Sequence, residues 1–149
     1  MTGAGRGIGK AVSVALAKAG CRVVLAARTR EQIETVQLEI ISQGGHALAL
    51  PADLTVDEDI QRLVEATQTK WGAADILINN ACWGKRAPVV GANLTDWDRT
   101  FRLNLRAPMV LAKALLPNMI AKREGAVINI GSVSGKTGEA NGAAYSASK

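Results

Sequence analysis

The sequence predicts an α/β fold, a doubly wound parallel sheet with helices on both faces, and three observations carry that reading. Short apolar runs of strand length alternate with longer amphipathic segments along the whole chain. A glycine-rich turn, Thr2-Gly3-Ala4-Gly5-Arg6-Gly7-Ile8-Gly9, opens directly into the first amphipathic segment. The apolar runs are continuous rather than alternating, which suits strands covered on both faces.

In chain order, the first helix begins near Ile8, where Ile8, Val12 and Leu16 form one stripe with Ala15 and Ala19 beside it, and Gly20 supplies the stop. Arg22–Ala26 is the first strand. Thr29 with Gln32 makes a capping-box pattern ahead of a helix carrying Ile33, Val36, Ile40 and Ile41, ended by Gly44-Gly45. Ala47–Leu50 is a short strand stopped by Pro51. Thr55 with Glu58 reads as a second capping box, and Ile60, Leu63, Val64 and Thr67 give its helix an i, i+3, i+4, i+7 stripe. Asp75–Ile78 is the next buried strand. Thr95 with Asp98 caps a long helical region reaching about Arg123, in which Pro108 and Pro117 imply interruptions or kinks. Ala126–Ile130 is the last strand. No repeat and no Pro/Ser-rich linker divides the chain, so residues 1–149 are read as one domain.

Composition narrows the function classes. Hydrophobic residues at 48% and charged residues at 21% set aside disorder and low complexity. No apolar run approaches about 18 residues and no basic-then-apolar leader opens the chain, so the expected compartment is the cytoplasm, with no membrane partner. Cys21 and Cys82 lack a CxxC or His-rich setting and are read as buried thiols, with no disulfide and no metal site. Lys plus Arg exceed Asp plus Glu by 18 to 13, a formal charge of +5 that attracts polyanions. That charge is scattered, and aromatics at 3% are too few for a base-stacking platform, so nucleic acid is not the expected partner.

The glycine turn is a phosphate cradle, because exposed amides and the positive end of a helix favour a pyrophosphate. Its spacing is GxxxGxG, with Gly3, Gly7 and Gly9, rather than the commoner GxGxxG, and by itself a flexible glycine turn fits it as well. After the strand Arg22–Ala26 the chain continues Ala27-Arg28, where a carboxylate would hold a ribose 2′-hydroxyl and an arginine suits a 2′-phosphate. Arg28 with Arg6 therefore favours NADP(H), against the reading of two solvated surface arginines.

With Asp53-Leu54, Asn79-Asn80-Ala81, Asn104, Ser132 and Tyr145-Ser146-Ala147-Ser148-Lys149 following that turn in order, the chain resembles the short-chain dehydrogenase/reductase family over its whole length. The branch it is most similar to is the 3-oxoacyl-carrier-protein reductases. The resemblance implies a Rossmann-type sheet and a dinucleotide held by Gly3, Gly5, Arg6, Gly7, Ile8, Gly9 and Arg28, with Asp53 and Leu54 flanking the adenine and Asn80 and Ala81 lining the cofactor. It also implies a catalytic tetrad of Asn104, Ser132, Tyr145 and Lys149, in which Lys149 grips the nicotinamide ribose beside Tyr145 and Asn104 holds a water. Cys82 departs from the glycine usual after Asn-Asn-Ala. The implied substrate is a small carbonyl or alcohol, including acyl thioesters, and the implied assembly of the full-length form is a homo-oligomer. Against that pattern, 1–149 is expected to be a partial dinucleotide-binding domain that lacks the first strand and the C-terminal part and is inactive and poorly stable alone.

The chemistry asks for such residues independently of any family. Hydride transfer to a carbonyl develops negative charge on oxygen, so a proton donor and a hydrogen-bonding hydroxyl belong beside it. Tyr145 suits the first role and Ser132 the second. Lys149 lies at i+4 from Tyr145 on the same helix face, and a cation there favours the phenolate of a side chain that otherwise titrates near about 10. Asp96 and Asp98, two residues apart on a helix, do not face each other. His46, read as a loop residue after Gly44-Gly45, has no GxSxG turn to serve. A nucleotide-binding or interaction module without turnover and a basic nucleic-acid binder are the alternatives from other classes.

Overall fold

The computed structural model describes residues 1–149. Helix α1 (Gly7–Lys18), strand β1 (Arg22–Ala27), helix α2 (Arg30–Ser42), strand β2 (His46–Pro51), helix α3 (Asp57–Trp71) and strand β3 (Ile76–Asn79) alternate without exception. A loop with a 3₁₀ turn at Val89–Gly91 leads to α4 (Leu94–Phe101), a π-helical turn Arg102–Arg106 and α5 (Ala107–Lys122). Strand β4 (Ala126–Asn129) and the short helices α6 (Ser134–Thr137) and α7 (Ala143–Ser148) follow. No helix is long and apolar enough to cross a membrane.

All pairings between strands are parallel: β1 with β2 from Arg22 opposite His46 to Ala27 opposite Pro51, and β3 with β4 from Ile76 opposite Ala126 to Asn79 opposite Asn129. Alternate residues of a strand face opposite sides, and β1 shows what that does. Val23 and Leu25 pack with Ala17 of α1 and Ile33, Val36 and Ile40 of α2. Val24 and Ala26 instead join Ile60 and Leu63 of α3, Leu77, and Leu111, Leu115 and Met119 of α5. Helices therefore cover both faces, and the doubly wound parallel architecture is present.

Main-chain hydrogen bonds join the two strand pairs through Met1–Thr2. Ala26 N–H donates to Met1 O at 3.0 Å, while Thr2 N–H donates to Ile78 O at 3.0 Å, so two residues stand between β1 and β3 as a strand would. Beside them β1 and β3 flank a groove of about 320 Å³ lined by Val24, Ile76, Leu63, Leu111 and Leu115.

Several local readings change. The stripe Ile8, Val12, Leu16 is only in part the packed face of α1: Gly9, Ser13 and Ala17 are buried and Leu16 packs beside them, while Ile8 is 62% exposed. The reason is proximity, since small residues let α1 lie directly on the turn before it. The N-cap of α2 is Thr29, without a side-chain cap bond, and that of α3 is Val56 rather than Thr55, whose hydroxyl turns to Asp53. The N-cap of α4 is Asn93, not Thr95: its Oδ1 accepts from Thr95 N–H at 2.8 Å and Asp96 N–H at 3.2 Å. The long helical region changes at a π-helical turn, Arg102–Arg106, just ahead of Pro108, and is not broken at Pro117. That turn runs directly into α5 two residues before Pro108, which lacks an N–H for the helical ladder, and α5 runs through Pro117. His46 is the first residue of β2 rather than a loop residue, because Gly45 ends the turn one position earlier.

The Thr2 hydroxyl carries much of the bridge: it donates to Ile78 O and accepts from both Asn80 N–H and Ala81 N–H, each at 3.0 Å, while Thr2 is only 4% exposed. Thr2→Val keeps the volume and strands two buried amides, so it is expected to destabilise the fold by about 3 kcal/mol. Thr2→Ser, which keeps the oxygen, is expected to cost less than about 1 kcal/mol, and urea unfolding of the two variants beside the parent chain checks the difference.

Candidate active site

The glycine turn works by letting backbone approach backbone. A Cβ at Gly9 would lie 2.0 Å from Gly3 O, so only glycine starts α1 against the turn. Gly3 has φ +64, and a Cβ on it would meet Asn80 Nδ2 at 2.8 Å. Asn80 closes the crossing from the end of β3, its Nδ2 donating to Thr2 O at 3.0 Å and Gly3 O at 3.2 Å. The Asn80 amide is therefore a clamp on the turn, and the chain at Asn80-Ala81 is what it leaves facing outward.

These elements border a cleft of about 650 Å³. Gly3, Gly5, Arg6, Gly7, Ile8 and Gly9 form one wall, Arg28 and Thr29 after β1 another, and Asp53, Leu54, Asn80 and Ala81 the remainder. All eleven of the cofactor residues read from the sequence, Tyr145 and Lys149 apart, share this one cleft. Helix α1 opens on it with no acidic residue in its first turn and no side-chain cap at Arg6. The N–H groups of its first turn have no intrahelical acceptor and the helix dipole there is not neutralised. The exposed guanidinium groups of Arg6 and Arg28 add positive charge on the same side.

Asp53 is the carboxylate of the cleft, and its surroundings restrain it. Its N–H donates to Asp59 Oδ2 at 2.7 Å, and its Oδ1 accepts from Thr55 N–H at 2.9 Å and Thr55 Oγ1–H at 2.8 Å. Partial burial pushes its pKa up, but the two Thr55 hydrogen bonds and the charges of Arg28 and Arg99 outweigh that and hold it below the ordinary aspartate value.

Ala81 also lines a second cavity, of about 360 Å³, whose far side is Asn104, Gly131, Ser148 and Lys149. Asn104 stands in the π-helical turn, with Oδ1 accepting from Trp83 N–H and Nδ2 donating to Trp83 O, both at 2.8 Å. Its second amide proton goes to Ser148 Oγ at 2.8 Å. Tyr145, half-buried on α7, packs its ring against Gly84, where a Cβ would come within 2.7 Å of Tyr145 Cδ2. Lys149 Nζ donates to Ile130 O, which ties it to the segment carrying Ser132. The Ser132 Oγ accepts from Ser134 N–H at 3.2 Å. The Ser132 and Tyr145 hydroxyls are not bonded to each other, and each of the four residues read from the sequence as catalytic is held by its own support.

Several participants escaped the sequence reading. Trp83 and Gly84 carry no motif of their own. Ser148 sits inside the Tyr145–Lys149 motif but its spacing says nothing of its partner. Thr55 was read as a cap and instead bonds Asp53. Cys82, expected to be buried, is exposed and borders the cleft, and Cys21 is only half-buried. Cys82 follows Ala81 in the loop after β3, on the border of the open cleft, which exposes it to solvent. Asp96 pairs with Lys85 at 2.9 Å, away from any second carboxylate.

The whole chain, residues 1–149, matches the family model described as short chain dehydrogenase. A 3-oxoacyl-[acyl-carrier-protein] reductase of Synechocystis is 37% identical over 150 residues, covering all of this chain and 61% of that protein. A short chain dehydrogenase/reductase of Colletotrichum higginsianum is 36% identical over 152 residues, again covering all of this chain and 57% of that protein. The crystal structure of a metagenomic short-chain oxidoreductase in complex with NADP superposes with a TM-score of 0.96 at 41% identity, covering 99% of this chain and 67% of that one. The chain thus spans about 60% of the length of these curated relatives. The turn that meets α1 without a side chain, the cleft it borders, the parallel doubly wound sheet and the match from Met1 to Lys149 agree, and the chain belongs to the short chain dehydrogenase family.

Proposed function

We propose that this chain carries the cofactor cleft and catalytic groups of an NADP(H)-dependent oxidoreductase that interconverts a ketone and a secondary alcohol. The observation that supports it most is the composition of the 650 Å³ cleft: an unneutralised helix N-terminus and two arginines on its border, with its one carboxylate restrained by Thr55. The donor set fits a dinucleotide with a 2′-phosphate. Amides of Gly7, Ile8 and Gly9 suit the pyrophosphate, and Arg6 and Arg28 suit a phosphate dianion. Asp53 and Leu54 suit the adenine, and Asn80 and Ala81 line the way to Lys149. The NADP bound in the metagenomic relative supports the same assignment.

When bound, NADPH supplies a hydride to the substrate carbonyl carbon. Tyr145 delivers the proton to the carbonyl oxygen as negative charge develops there, and Ser132 holds that oxygen by a hydrogen bond. Lys149, one turn along α7, grips the ribose and favours the phenolate left on Tyr145 after the proton has gone. Asn104 holds its water beside Lys149 while its side chain keeps the loop at Trp83 in place. In the reverse direction the same groups remove the alcohol proton. The likeness to the Synechocystis 3-oxoacyl-[acyl-carrier-protein] reductase supports a 3-oxoacyl thioester as substrate, and a basic chain suits an acidic carrier. The full-length form is proposed to be a cytoplasmic homo-oligomer.

Titration with NADPH followed by tryptophan quenching, then NADPH oxidation with a β-ketoester, tests the assignment; NADPH quenching without ketoester-dependent oxidation would point to a module without turnover. Arg28→Asp places a carboxylate where the 2′-phosphate is proposed to lie. The NADPH over NADH preference in kcat/KM is expected to fall by about 10- to 100-fold, the value of one or two charge-assisted hydrogen bonds. An unchanged ratio would remove Arg28 from cofactor choice. Tyr145→Phe keeps the ring against Gly84 and removes the transferable proton. It is expected to lower kcat by about 1,000-fold with the NADPH Kd changed by less than about 3-fold. Steady-state rates and quenching titrations separate the two effects, and turnover retained in Tyr145→Phe would assign the proton elsewhere.

A further inference from the structure

The contacts around Tyr145 form a closed circuit through a residue that has no part in the proposed chemistry. Starting at the ring, Tyr145 packs on Gly84, and Gly84 follows Trp83 in the chain. Both main-chain polar groups of Trp83 are held by the Asn104 side chain, at 2.8 Å each. The remaining Asn104 proton reaches Ser148 Oγ at 2.8 Å, and the Ser148 hydroxyl donates to Tyr145 O at 2.9 Å. The circuit returns to the residue where it began. Ser148 is 7% exposed, so its hydroxyl exchanges these two bonds for nothing from solvent.

We infer that Ser148 is a positioning residue for the proposed reduction, coupling the Asn104 clamp to the backbone of Tyr145 so that the loop at Trp83-Gly84 and the tyrosine ring are held in one register. The inference rests on the oxidoreductase reading above and deepens it. An asparagine amide has one acceptor and two donor hydrogens, and both hydrogens of Asn104 are committed, one to Trp83 O and one to Ser148 Oγ. Removing the serine oxygen leaves an amide proton without its partner in a half-buried site, and Asn104 is then free to rotate away from Trp83. The Tyr145 carbonyl loses its hydroxyl donor in the same step. Both ends of the circuit loosen together, whereas loss of an isolated surface hydroxyl would move neither.

Ser146 provides the internal comparison. It lies on the same short helix, and its Oγ is buried with no hydrogen-bond partner. Its removal therefore breaks no bond in the circuit.

The test compares Ser148→Ala, Ser148→Thr and Ser146→Ala with the parent sequence, all in the full-length protein, in two measurements. The first is hydrogen exchange of the Trp83 amide, which needs neither cofactor nor turnover. Exchange is expected to quicken by about 10-fold in Ser148→Ala, to return to within about 3-fold of the parent in Ser148→Thr, and to stay within about 2-fold in Ser146→Ala. The second is NADPH-dependent reduction of a β-ketoester. There kcat is expected to fall on the order of 10-fold in Ser148→Ala with the KM for NADPH within about 2-fold, since small displacements of a reacting group cost rate rather than binding. In an Asn104→Ala background the further loss from Ser148→Ala is expected to be less than about 2-fold, because the two residues act as one unit. Parent-like Trp83 exchange and parent-like kcat in Ser148→Ala would overturn the inference, as would equal losses in Ser146→Ala. A parent chain that binds NADPH without ketoester-dependent turnover counts against the oxidoreductase reading instead, and the exchange rates then decide the coupling by themselves: acceleration confined to Ser148→Ala upholds it and unchanged exchange overturns it.

Discussion

The site depends on one crossing, where Gly9 of α1 lies so close to Gly3 that a single added carbon would sit 2.0 Å from the Gly3 carbonyl oxygen. That contact decides where α1 starts, and the start of α1 decides where its unpaired amides point. The crossing is locked from the side by Asn80, whose amide donates to two carbonyls of the turn, and from below by the Thr2 hydroxyl, which takes the amides of Asn80 and Ala81. Strand, turn and helix are thereby registered by the Asn80 and Thr2 side chains bonding main-chain groups, and the other side chains of the cleft inherit their positions from that registration.

Electrostatics follows from the same arrangement. A helix N-terminus attracts negative charge, and a chain that wanted α1 only for stability would place an acid in its first turn. None is there, and the cationic side chains that line the cleft are Arg6 and Arg28. The carboxylate that does line the cleft, Asp53, has its charge taken up by Thr55 and by the arginines near it. The positive end of α1 is therefore left to an outside anion rather than consumed within the fold.

The proposed catalytic groups are held differently. Ser132, Tyr145 and Lys149 do not bond one another; each is fixed by a neighbour, Ser134, Gly84 and Ile130 in turn. Asn104 reaches across to the loop after β3 and to α7 from a π-helical turn, where the extra residue in the helical register turns its side chain toward both. An interruption that costs helix regularity is what brings these segments together.

The alternation of apolar runs and amphipathic segments, the glycine turn and the ordered motifs were sufficient, read from the sequence, for the parallel α/β class, for the placing of every strand within a residue or two, and for a family. They were sufficient because each rests on local physics: side-chain periodicity, the conformational range of glycine and the exposed amides of a helix start. What local physics does not contain was decided by the tertiary structure. The buried face of α1 is Gly9, Ser13 and Ala17, with Leu16 of the expected stripe packed beside it and Ile8 exposed, since closeness to the turn outweighs side-chain hydrophobicity there. Asn93 and not Thr95 caps α4, and Thr55 bonds a carboxylate instead of a helix end, because each polar side chain had several local partners and packing selected among them. Ser148 and Trp83 meet Asn104 across sequence separations of 44 and 21 residues, and no periodicity records a hydrogen bond whose two ends are joined only by the fold.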